Sequence, residues 1–200
     1  DPRPMRALTL RAFTGLLMLL PAGSRAADDL SVETRRRDEA LEVVCRATLE
    51  APLELIWQTL TDYNRLAEFI PGMRSSRVVA QRGAALIVEQ SGEASFLFLS
   101  FPIEVTLETT ERAPHAIEVN MLKGSLKRLQ GGYRIEPRAG GQTLLHWRGI
   151  IESAEPMPPL IGELLMRASI GDQFRGMVRE IERRDALRRG RDKGQREPAQ

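Results

Sequence analysis

PLELIWQTLTDYNRLAEFIPGM, residues 52–73, decides how the rest of the chain is read. Pro52 opens a helix, at a position where its missing N–H costs nothing. Leu53, Ile56, Trp57 and Leu60 recur at spacings of three and four, so they share one face. Thr61 or Asp62 can cap a second short helix. Leu66, Phe69 and Ile70 form its apolar face, and Pro71-Gly72 stops it.

Strand patterns lie on both sides. Upstream, ALEVVCRATL (residues 40–49) alternates Leu41, Val43, Cys45, Ala47 and Leu49 with polar neighbours, the signature of a half-buried strand. Downstream, six strand-like runs follow. Arg82-Gly83 separates the first two. The run Phe96 to Glu111 alternates Ile103, Val105 and Leu107 with Glu104, Thr106 and Glu108. Ala113-Pro114 turns the chain, and Ile117, Val119 and Met121 alternate again. Gly131-Gly132 marks a bulge or a close backbone approach in the next run. Ala139-Gly140-Gly141 is the last turn before Gln142 to Ser153. Such short connections imply antiparallel neighbours. A final helix begins among Pro156, Pro158 and Pro159 and is expected to run to about Arg184, with Ile161, Leu164, Ala168, Gly171, Phe174, Val178 and Ile181 on one stripe.

The ends read differently from the middle. Met5-Arg6 and Arg11 lead into the apolar run Ala12 to Leu20, and Ser24-Arg25-Ala26 follows the break at Pro21 and Gly23. That order is a cleavable secretory signal over residues 1–27, too short to span a bilayer. It predicts a periplasmic or otherwise exported protein. Residues 28–38 read as a polar leader, 39–184 as one folded domain and 185–200 as a basic, disordered tail. The net charge of +2 is carried by the two ends, and residues 28–182 alone are near −5. A nucleic-acid partner is therefore not expected, since it would need the basic residues on a folded face. The tail reads first as a solvated end, with contact to an anionic membrane or RNA as the alternative. Cys45 is the sole cysteine, so no disulfide forms within one chain, and its strand context predicts burial.

The order strand, two helices, six strands, long helix comes with DYNRLAEFIPGM (62–73) and GSLKRLQGGYRIEP (124–137). Together these resemble the polyketide cyclase/dehydrase and coenzyme-Q-binding START-like family of the SRPBCC superfamily. The resemblance covers residues 39–184. It rests most on Trp57, Leu60, Thr61, Asp62 and Tyr63, followed by Phe69, Ile70, Pro71 and Gly72. Gly131-Gly132-Tyr133 departs from the Gly-x-Trp common in that family. The resemblance implies an α+β helix-grip fold, with a seven-stranded antiparallel sheet wrapped around the C-terminal helix. It also implies a deep apolar cavity between them, for a lipid, quinone or polyketide-like ligand.

The residues expected to line that cavity are Trp57, Tyr63 and Phe69 from the helical segment. Ile103, Val105, Met121 and Tyr133 would come from the sheet, and Leu164 and Phe174 from the last helix. His146 and Arg148 would join them if their phase of the last strand faces inward. If Leu145, Trp147, Gly149 and Ile151 face inward instead, both are surface residues, because a shift of one residue exchanges the faces. No nucleophile motif, closely spaced metal-ligand set or phosphate-cradling loop is present, so no catalytic residue, metal or cofactor is expected. Two other readings remain. One is a cyclase or dehydratase using His146 as acid/base and Arg148 to hold an enolate. The other is an envelope interaction module acting through its basic tail.

Overall fold

The alternating segment after the leader is the strand it was expected to be. Leu41, Val43, Cys45, Ala47 and Leu49 are all buried along Ala40–Leu49. The computed structural model describes residues 30–96, 99–154 and 159–196. The proposed signal over residues 1–27, the segment 155–158 and the last four residues lie outside them.

Eight strands form one antiparallel sheet: β1 (Ser31–Arg37), β2 (Ala40–Leu49), β3 (Met73–Arg82), β4 (Ala85–Phe96), β5 (Leu99–Arg112), β6 (Ala116–Gly124), β7 (Leu126–Pro137) and β8 (Thr143–Ser153). Their spatial order is β1-β2-β8-β7-β6-β5-β4-β3. The sequence predicted seven. The eighth is β1, read as a polar leader because SVETRRR has no apolar alternation. Its order comes from backbone pairing with β2 from Ser31↔Arg46 to Arg37↔Ala40, and a Glu33–Arg46 ion pair of 2.7 Å ties the two strands. Charged side chains on an edge strand also discourage pairing with other chains.

The strand order explains why residues 52–73 matter. β2 and β3 are consecutive in sequence yet stand near opposite ends of the sheet, so the segment between them must cross its width. It does so as helix α1 (Leu53–Leu60) and a 3₁₀ turn, Tyr63–Glu68. Neither proposed cap is used as one. The Thr61 hydroxyl donates back to the Trp57 carbonyl at 2.9 Å, and Asp62 pairs with Arg184 instead. At the far side Asn64 Oδ1 accepts the Val78 N–H at 2.9 Å, fixing the segment to β3.

Helix α2 (Pro159–Arg196) lies against the inner face of the sheet and against this crossing segment. It runs well past Arg184, so residues 185–196 are helical rather than the disordered tail expected. Asp185 is buried and pairs with Arg188 at 2.9 Å. Leu165, Met166, Phe174, Met177, Val178 and Ile181 face the core. The expected stripe holds in the second half of the helix only. Ile161 and Leu164 are exposed, because the first half presents a neighbouring stripe inward.

Two contacts hold α2 to the crossing segment. A Cβ on Gly176 would lie 2.4 Å from Pro71 Cδ and 2.8 Å from the Phe69 carbonyl oxygen, so the helix reaches the Pro-Gly stop only because Gly176 has no side chain. About two turns beyond, Arg184 donates to Asp62 at 2.9 Å and to Glu180 at 2.7 Å, with its guanidinium 5.4 Å from the Phe69 ring centroid. Glu180 also accepts from Arg183, and these hydrogen bonds hold its carboxyl at about 2 despite the opposing effect of burial.

Gly176→Ala should lose about 1–3 kcal/mol by overpacking, read by urea denaturation. Gly190→Ala, with open space around its Cβ, should instead gain up to about 1 kcal/mol from helix propensity. Glu180 has a folded pKa below its ordinary value of 4.5, so its contribution is full above that pH and is lost as pH falls toward about 2. The difference in urea midpoint between the wild type and Glu180→Gln should accordingly be constant at neutral pH and shrink below pH 4.5.

Candidate ligand cavity

Register decides which side chains meet inside. Across β2, β8 and β7 the paired residues Cys45, Trp147 and Tyr133 point to the helix side. The next row, Arg46, His146 and Arg134, points away. Leu145 and Ile151 are buried on the inner side of β8, and Gly149 lies between Trp147 and Ile151. The indole lies flat along its own strand over that glycine, since a Cβ there would come within 2.4 Å of Trp147 Cη2. Gly131, paired with Gly149, is not at a bulge. It is a site of close approach, where a Cβ would meet the Arg148 carbonyl oxygen at 2.5 Å.

Between this face and α2 is a cavity of about 230 Å³. Its sheet wall is Ile103, Val105, Leu107 and Thr109 of β5, Ile117 and Val119 of β6, and Leu129 and Tyr133 of β7. Helix α2 contributes Met166, Ser169, Ile170, Gln173, Phe174 and Met177. Leu60, Tyr63, Leu66 and Ile70 of the crossing segment close one end. Gly72, Met73, Gly92 and Glu93 stand where β3 and β4 meet the segment, and Glu93 pairs with Arg74 at 2.6 Å.

Of the residues expected here, Tyr63, Ile103, Val105, Tyr133 and Phe174 line the cavity. The other six do not. Trp57 is buried in the core. Phe69 turns its ring toward Arg184. Met121 is in phase with Ile117 and Val119 but beyond the lining. Leu164 is exposed and faces a groove beside β1 with Val32 and Arg175. His146 and Arg148 are on the outer face of the sheet, where Arg148 pairs with Glu42. Trp147 lines it through the alternative phase of the last strand, and Met166 and Met177 are lining residues that the sequence reading passed over.

The cavity is lined mainly by aliphatic and aromatic side chains. Among the described residues its lining includes no Lys, Arg or His, and the ionisable groups there are Tyr63, Tyr133 and Glu93. Burial pushes both phenols well above the ordinary tyrosine range, so they are neutral hydrogen-bond donors at physiological pH. Cys45 is fully buried, and burial raises its thiol to about 12, which leaves no thiolate nucleophile. His146 cannot serve Cys45 as a base, because the two point to opposite faces. Among the described residues no group of three or more His, Cys, Asp or Glu could hold a metal ion.

The family model for polyketide cyclase / dehydrase and lipid transport matches residues 49–178. The chain belongs to that family. No curated protein matches the sequence. Solved structures share the fold at low identity. A START superfamily protein from Mycobacterium smegmatis is 14% identical, covering 71% of this chain and 97% of its own, with a TM-score of 0.62. The Zhui aromatase/cyclase from Streptomyces sp. R1128 is 15% identical, covering 72% and 95%, with a TM-score of 0.61. A STAR-related lipid transfer protein from Xanthomonas axonopodis is 11% identical, covering 78% and 99%, with a TM-score of 0.55. The architecture is the helix-grip of START and Bet v 1-like proteins, here with eight strands.

Filling the space should remove binding without removing the fold. Val119→Trp should weaken uptake of the neutral dye N-phenyl-1-naphthylamine at least about ten-fold, through lost apolar contact area, while far-ultraviolet circular dichroism stays native. His146→Ala and Arg148→Ala should leave dye affinity unchanged.

Proposed function

We propose that this protein is an exported carrier that shelters one hydrophobic small molecule, a lipid or quinone, between its sheet and α2. The observation that carries the reading is the apolar cavity itself, closed by the crossing segment and lined mainly by aliphatic and aromatic side chains. Burial of apolar ligand surface supplies affinity at about 25 cal/mol per Å², and a few polar groups orient the ligand. The kinship with a family that includes lipid transport supports the same reading.

Export rests on the arginine-led apolar run and the small-residue site at Ser24-Arg25-Ala26. No described helix is long and apolar enough to cross a membrane. Contact of the arginine-rich end of α2 with an anionic membrane belongs to the same proposal, since it would place the carrier where apolar molecules are collected. A cyclase or dehydratase working through His146 and Arg148 finds no support, because neither side chain reaches the cavity.

Protein expressed with residues 1–27 in a Gram-negative host should appear in the periplasmic fraction shortened by about 26 residues, the signal length that such segments carry. Native mass spectrometry of the gently purified protein should show an adduct that organic extraction releases as a lipid or quinone. Unprocessed cytoplasmic protein would overturn export. Protein that carries no adduct and takes up no apolar dye would overturn the carrier reading.

A further inference from the structure

Helix α2 borders a second hollow, on the side turned away from the cavity. A helix advances about 100° per residue. Leu164, Ala168 and Arg175 therefore stand nearly opposite Met166, Ile170 and Gln173, which line the cavity. With Leu30, Val32 and Arg167 they border a groove of about 410 Å³, within the roughly 300–1,000 Å³ of ligand sites. The groove and the cavity have no lining residue in common. One wall of the groove is β1, which lies upstream of the residues that the family model matches.

The floor of the groove is apolar and its rim is basic, and Gly171 sets that arrangement. A Cβ on Gly171 would lie 3.3 Å from Arg175 Nη2 and 3.4 Å from Val32 Cγ2. The Arg175 guanidinium is thus folded back over the glycine, beside Val32. Its charge is felt on the inner face of the sheet, at the thiol of Cys45, which pairs with Val32; there it opposes the stronger effect of burial. Asp172 accepts one hydrogen bond from Arg175 at 2.7 Å, and a guanidinium carries five N–H donors. Arg167, one turn before Gly171, is exposed, and among the described residues it has no hydrogen-bond or ion-pair partner. Glu163, one turn earlier still, accepts from Thr34 Oγ1 at 2.8 Å. Beyond the groove, the exposed Leu160 and Ile161 extend the apolar surface toward the start of α2.

We propose that this groove is a second binding site, for a single anionic amphiphile whose carboxylate is held by Arg167 and Arg175 and whose alkyl chain covers Leu30, Val32 and Leu164. The match is one of both charge and polarity. A guanidinium fork suits a carboxylate, and covering aliphatic side chains supplies the apolar part of the affinity. A neutral chain would use the floor alone, and an inorganic anion the rim alone. The inference stands apart from the carrier reading, because it uses none of the residues that line the cavity.

The test is titration of the methyl-labelled full chain with decanoate, below its micelle concentration, with 1-decanol as the neutral probe of equal length. Intermolecular nuclear Overhauser effects should join the decanoate chain to the methyl groups of Leu30, Val32 and Leu164. Decanol should bind there at least about two-fold more weakly, and added salt should weaken decanoate but not decanol. Arg167→Gln and Arg175→Gln should each weaken decanoate at the groove about two- to five-fold, the scale of an exposed charge pair, while uptake of N-phenyl-1-naphthylamine stays unchanged. Decanoate contacts confined to cavity methyl groups such as those of Leu107 and Ile117 would overturn the proposal. So would equal affinity for decanol at the groove, or unchanged decanoate affinity in both glutamine variants. Attachment to phosphatidylglycerol vesicles through Leu160 and Ile161, without decanoate contacts at Leu30 and Val32, would make the surface a membrane contact and overturn it as well.

Discussion

The close approach of α2 to the Pro71-Gly72 stop is the contact on which the rest of the structure depends. One helix cannot cover the inner face of an eight-stranded sheet. It is therefore seated where it meets the crossing segment, at Gly176 against Pro71, and it leaves a gap beside the turns that precede that point. Arg184 reinforces the seat by joining Asp62, Glu180 and the Phe69 ring. The cavity is what remains between a helix fixed at that point and a sheet whose inner residues are too few to fill the space.

Alternation along the strands then divides the work between two faces. The inner row through Cys45, Trp147 and Tyr133 is apolar or neutral, whereas the outer row through Arg46, His146 and Arg134 is basic. Charged groups on the outer face form ion pairs, as Arg148 and Arg37 do with Glu42, whose carboxyl the Arg148 hydrogen bond lowers. The inside retains neutral phenols, hydroxyls and amides. A protein arranged this way can hold an apolar molecule and orient it.

Most of the fold was legible because period-two alternation and the Pro-Gly stop are local signals. What escaped was of three kinds. β1 has a polar sequence and owes its order to backbone pairing, which leaves no hydrophobic pattern to read. In β8 both phases carry aliphatic residues, Leu144 and Ile150 against Leu145 and Ile151, so the sequence leaves the faces open, and the phase that would bring His146 and Arg148 into the cavity is the outer one. In α2 two apolar stripes lie side by side, and the one that runs from Ile161 and Leu164 to Phe174, Val178 and Ile181 is exposed in its first half and buried in its second. Trp57 and Phe69 illustrate a further gap. Sequence shows that a residue will be buried, but whether it packs solidly or borders a void depends on how far apart the elements settle.

The account's central claim is that an apolar ligand lies between the sheet and α2 rather than on the surface. Intermolecular nuclear Overhauser effects between 2-decanone and selectively methyl-labelled protein test it most directly. Contacts are predicted to Leu107, Ile117, Val119, Met166 and Met177, which face one another across the cavity. Contacts confined to the exposed Leu160, Ile161 and Leu164 would contradict it.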